Sequence, residues 1–171
     1  MRSIRNLLTV IICICIAVHN VSAQATVLNV PLAGNSFLTS ANKTADSISE
    51  EGLTNWRDTA SEFSIYVHAT TACNIQIGFE LGVPEGSSTI QYSLNNKSYP
   101  LKITGSAVHT TWMDDIFQLQ PGYTKITLRG LQKSNSQFAI VKNLLIKTGN
   151  ASDVFHFVKE NSGNRDRKST R

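Results

Sequence analysis

The side chains able to do acid–base or metal chemistry are few and poorly spaced for it. His68, His109 and His156 are far apart, and none stands in a metal-ligand spacing such as H-x-x-x-H. Cys73 has no C-x-x-C partner. The sequence therefore predicts no metal site. Asp114-Asp115 and Glu50-Glu51 are adjacent pairs. On a strand, neighbours point to opposite faces, so adjacency works against a cooperating acid and base, and solvated turns are the plainer reading. No G-x-S-x-G and no glycine-rich phosphate loop occurs. These absences predict a protein that is not an enzyme and needs no cofactor.

The two tryptophans carry more information. Trp56 follows Asn55 and precedes Arg57-Asp58; Trp112 follows His109-Thr110-Thr111 and precedes Asp114 by two residues. Both stand where turns and strand ends meet. An indole covers the C–H face of a pyranose, and flanking Asn, Asp and Arg groups take its hydroxyls as donors and acceptors. The alternative is that each tryptophan plugs one end of a β-sandwich. Asn55, Trp56, Asp58 and Trp112 are the candidate ligand residues on the first reading, with a glycan as partner.

The elements that would position them are strands. Phe63, Ile65 and Val67 alternate with Glu62, Ser64, Tyr66 and His68, and Cys73 to Val83 carries six apolar positions in strict alternation. Cys73 itself reads as a buried small hydrophobe. Ala25 to Val30 and Ser36 to Thr39 are extended, separated by a Gly34-Asn35 turn. Asn42 to Glu51 is polar and reads as a loop or a short helical turn capped near Ser47. Thr89–Leu94 and Lys97–Ile103 form a hairpin around Asn95-Asn96, with Pro100 placing the return strand at an edge or bulge.

Three more strands follow before the end. His109 to Leu119 is a strand interrupted at Asp114-Asp115, and Tyr123 to Leu128 is one ended by Arg129-Gly130. Gln137 to Lys147 is rich in β-branched residues and reads as a bulged strand rather than a helix. Val154 to Val158 is a last short strand. About nine strands with turns between them and no long helical pattern predict an all-β fold, an antiparallel β-sandwich.

Met1 to Ala23 reads as a secretory signal peptide: Arg2 and Arg5, an apolar run from Leu7 to Val18, and Val21-Ser22-Ala23 as the cleavage site. The apolar run is shorter than the about 20 residues that cross a bilayer, so no membrane span is expected. Cleavage would remove Cys13 and Cys15 and leave Cys73 without an intrachain partner. Residues 24–159 are then one exported domain, secreted, periplasmic or at the cell surface, and 160–171 a disordered tail. The net charge of +4 misleads, since it comes from the leader and the tail while charges cancel between Gln24 and Arg165. A neutral body argues against a nucleic-acid partner.

Val30-Pro31-Leu32-Ala33-Gly34-Asn35-Ser36-Phe37, Gly52-Leu53-Thr54-Asn55-Trp56-Arg57-Asp58 and the run Pro121-Gly122-Tyr123-Thr124-Lys125-Ile126-Thr127-Leu128-Arg129-Gly130-Leu131 together resemble a secreted bacterial family, domain of unknown function 5077. Its members often precede a second, larger domain and are common in glycan-degrading Bacteroidetes. The layout is also similar to jelly-roll, galactose-binding-like sandwiches that serve as carbohydrate-binding modules. The resemblance implies an accessory module that binds glycan, or else one that packs on a neighbouring domain and binds no sugar. Two departures stand out: Ile140 where the family tends to be acidic, and Lys142-Asn143 where a small polar and an acidic residue are expected. Asn143 joins the ligand candidates at that position; a calcium-binding role is not carried over.

Asp166-Arg167-Lys168-Ser169-Thr170-Arg171 matches the translation of a common sequencing adapter. The expectation is that the gene continues past Arg165 into a C-terminal partner domain absent from this chain. Adapter-identical bases at the Asp166 codon, at a contig edge, are the predicted finding; genomic reads running through Arg171 into a stop codon would contradict it.

Overall fold

The computed structural model describes residues 25–39, 45–149 and 155–157. The expected leader and charged tail lie outside the described residues. Ten strands run in the order β1 (Thr26–Pro31), β2 (Ser36–Leu38), β3 (Glu62–Ala69), β4 (Cys73–Gly82), β5 (Ser87–Leu94), β6 (Lys97–Thr104), β7 (His109–Leu119), β8 (Gly122–Lys133), β9 (Ile140–Thr148) and β10 (Phe155–Phe157). No helix occurs among the described residues, and so none long and apolar enough to cross a membrane. The segment around Ser47 is irregular, without the alternative helical turn.

All strand pairings are antiparallel. One sheet has the order β1-β9-β4-β7; the other runs β10-β3-β8-β5-β6, with β2 also on β3. β2 pairs with residues 63–65 of β3 and β10 with residues 67–69, so one edge of β3 is covered by segments from both ends of the chain. The inward sets of both sheets form a single apolar core, including Ile65, Val67, Ile75, Ile77, Phe79, Ile90, Ile126, Leu128 and Leu144. This is the antiparallel β-sandwich that the alternation predicts.

Pro100 lies in β6, the edge strand, where a missing N–H costs the ladder least. Asn95 and Asn96 turn the β5–β6 hairpin with φ of 52° and 61°, the left-handed geometry that asparagine tolerates in two-residue turns. β7 is continuous, and Asp114-Asp115 belongs to a bulge opposite Gln76–Gly78 rather than to a break. β8 also corrects the sequence reading, because it runs past Gly130 to Lys133. A Cβ at Gly130 would lie 2.6 Å from the Phe138 ring. The glycine makes room for that ring instead of ending the strand.

Trp56 is wholly buried, with the Phe63 ring edge-on at 5.2 Å and the Phe138 ring tilted at 5.6 Å. The Phe138 N–H donates to the Trp56 carbonyl at 2.8 Å. No face of the indole is left for a sugar, so of the two readings the plug holds. The polar turn above it is tied down by Asp46, whose carboxylate accepts from Arg57 N (2.9 Å), Asp58 N (2.8 Å) and Ser61 Oγ (2.7 Å). Leu53 exchanges backbone hydrogen bonds with Val141 at 2.9 and 3.0 Å, which continues the lane of β1 along β9.

Cys73 is buried and free, and burial pushes its thiol up. Burial, helped by Asp115, Tyr99 and Asp114, pushes Tyr92 up from 10.0 to about 12.

Two predictions follow from this packing. Trp56→Ala should cost about 3–5 kcal/mol in urea unfolding, as for other large aromatic truncations in cores; a loss below about 1 kcal/mol would contradict the plug. Tyr92 has a raised folded-state pKa, so its contribution to stability is complete below pH 10 and is lost as pH rises towards about 12. Melting temperature followed across that window should fall less steeply for Tyr92→Phe than for the unaltered protein, and parallel curves would contradict the assignment.

Candidate functional site

The alternation of β4 decides what its sheet presents to solvent. Cys73, Ile75, Ile77, Phe79 and Leu81 are buried in the core. Asn74, Gln76, Gly78, Glu80 and Gly82 therefore face outward. Register carries the face across the sheet. Gly78 lies between Trp112 on β7 and Leu145 on β9, and Glu80 lies between Thr110 and Asn143.

Gly78 matters because of what covers it. A Cβ built there would lie 2.7 Å from Cε3 and 2.9 Å from Cδ2 of Trp112. Only glycine lets the indole settle onto the β4 backbone, a close approach of the kind that a strand glycine often marks. Trp112 remains partly exposed. Leu145, outward by register, is only 6% exposed and gives the surface beside the indole an apolar floor.

The bulge fixes the far side of the ring. Gln76 Nε2 donates to the Met113 carbonyl at 2.7 Å, pinning the extra residues between Trp112 and Ile116. Beyond the indole, Asn143 Nδ2 donates to Glu80 Oε2. That contact orients the carboxamide and the carboxylate side by side, so that their other oxygens can accept hydrogen bonds from hydroxyls. Aromatic surface with an adjacent fixed polar pair is suited to a ligand with an apolar face and a hydroxylated rim.

Of the nominated residues, the structure brings Trp112 and Asn143 together on this face. Trp56 is in the core. Asn55 and Asp58 line a different recess of about 400 Å³, with Ala45, Asp46, Arg57 and Thr59. Asp58 Oδ1 is engaged locally, accepting from Ala60 N at 2.8 Å. Among the described residues no three His, Cys, Asp or Glu side chains cluster as metal ligands would. Sequence reasoning missed Gly78 and Glu80. Gly78 had a readable signal, a glycine at an outward position of the most regular strand; Glu80 had none, since its partner is 63 residues away.

Solved structures of other proteins share the fold. The GH26-CBM35 β-(1,4)-mannanase of Podospora anserina aligns over 73% of this chain at 10% identity, TM-score 0.55, and this chain spans 28% of the length of that one. A CBM35 from Cellvibrio japonicus Abf62 aligns over 77% of this chain and 97% of its own length, at 12% identity and TM-score 0.51. A family 35 carbohydrate-binding module from an environmental isolate aligns over 76% and 96%, at 13% identity and TM-score 0.50. At such identities the likeness is one of fold: the sandwich is similar to those of these structures. No protein of curated function matches the sequence. Residues 30–151 match a sequence family described as Domain of unknown function (DUF5077), and with well over half its length in that match the chain belongs to the DUF5077 family.

Proposed function

We propose that the protein is an exported, non-catalytic carbohydrate-binding module whose ligand lies on the outer face of the four-stranded sheet. The observation that carries this reading is the partly exposed Trp112 indole held over Gly78 beside the Glu80–Asn143 pair. Indole surface takes the C–H face of a pyranose, and the oriented oxygens of Glu80 and Asn143 take its hydroxyls. Trp112 and Asn143 carry the ligand; Asn55 and Asp58, which line the other recess, do not. The fold supports the reading, because the similar structures are named as carbohydrate-binding modules.

A second reading has its own support. Ile116 (72% exposed) and Val27 (50% exposed) belong to the same outer face. Exposed apolar groups sharing a face suit a module that packs on a neighbouring domain and binds no sugar.

Affinity electrophoresis through gels containing soluble galactomannan or xylan separates the two. The unaltered protein should be retarded in at least one gel. Trp112→Ala should abolish the retardation while lowering stability by less than about 1 kcal/mol, as for surface substitutions. Gly78→Val, which drives a side chain into the indole, should also weaken binding. Retardation in neither gel would favour the packing module, and an equal loss of binding and stability in Trp112→Ala would remove the support for a platform.

A further inference from the structure

The six-stranded sheet carries an independent feature on its own outer face. Alternation turns Tyr66 and His68 of β3 outward, and register sets His68 between Tyr123 of β8 and His156 of β10. The His68 and Tyr123 rings meet edge-on at 4.7 Å, and the His68 and His156 rings are 6.3 Å apart. Three rings thus run in a row across three adjacent strands. Tyr123 is 73% exposed, so its ring contributes little to the core.

The row ends in a groove. β5 pairs with β8 only as far as Ser93↔Thr127, and the hairpin then reverses at Asn95-Asn96. β8 outruns the hairpin, and its projecting end and the turn bound a groove of about 420 Å³. Tyr123, Lys125 and Thr127 of the outer face line it, with Asn96. The turn is held in place by Asn95 Nδ2, which donates to the Gln118 carbonyl at 3.1 Å. Lys125 and Glu62 are 3.6 Å apart and offset each other's charge. What remains is an exposed aromatic ring beside uncharged hydroxyl and carboxamide groups, at the smaller end of ligand-pocket volumes.

We propose that this groove is a second saccharide site. It takes a short neutral oligosaccharide with one ring against Tyr123 and hydroxyls on the Asn96 carboxamide and Thr127, extending over the His68–His156 row. It lies on the opposite sheet from Trp112 and does not depend on that face. Two sites on opposite faces engage two separate glycan chains, so the module cross-links polysaccharide and gains avidity on a dense matrix.

The test is a ¹H–¹⁵N NMR titration with mannohexaose, xylohexaose and cellohexaose, each in turn. Saturable shifts are expected at the Asn96 side-chain amide and the Tyr123 and Thr127 backbone amides, and they should persist in Trp112→Ala. Tyr123→Ala should weaken them at least tenfold. Asn96→Gly, which keeps the left-handed turn but removes the carboxamide, should weaken them too. No saturable shift at these positions with any of the three sugars, or shifts undiminished in both variants, would overturn the proposal. A response at the Trp112 indole N–H alone would sink this groove and leave the first site standing; a response in the groove alone would do the reverse.

Discussion

The period-two alternation of β4 is the constraint on which the rest depends. Its inward set, Cys73, Ile75, Ile77, Phe79 and Leu81, packs the core between the two sheets. Its outward set then has no freedom left: Gly78 and Glu80 must lie on the outer face, Gly78 under the indole and Glu80 half-buried, and register brings Trp112 and Asn143 to them. A slip of one residue would exchange the two sets and lose core and surface together. Core packing and the make-up of the outer face are two consequences of one pattern, which is why a candidate site can be built on a strand's backbone without any special loop.

The two tryptophans show how surroundings decide the fate of one residue type. Trp56 has polar sequence neighbours, yet Phe63 and Phe138 close over it and Asp46 ties down the turn above. Trp112 lies on an exposed strand face, where the missing side chain at Gly78 lets it lie down rather than stand up. The first indole anchors the sandwich. The second is held in place with part of its surface still open to a ligand. Positioning by a packed scaffold matters here, since a ring already held against backbone loses little freedom when a sugar stacks on it.

Much of the fold was legible in the sequence because alternation is a local signal. β3, β4, the β5–β6 hairpin and the bulged β9 all fall where the pattern puts them. Errors and open choices came where a distant side chain settled the outcome. Gly130 looks like a strand end until Phe138 is seen to fill the space above it. Trp56 can be read as platform or plug because Asn55, Arg57 and Asp58 are polar, while the groups that bury it come from residues 63 and 138. Of the site, Trp112 could be nominated from its type and setting, and Asn143 only through the family resemblance. Their meeting could not, because it depends on a register across three strands and on a contact between Glu80 and Asn143.

Tryptophan emission during titration with galactomannan reports directly on whether Trp112 is a sugar platform. Trp56 is wholly shielded from solvent, so a ligand-induced change in emission reports on Trp112. The account predicts a saturable blue shift as the sugar displaces water from that ring, absent in Trp112→Phe. Emission unchanged while the polysaccharide is demonstrably bound would contradict it.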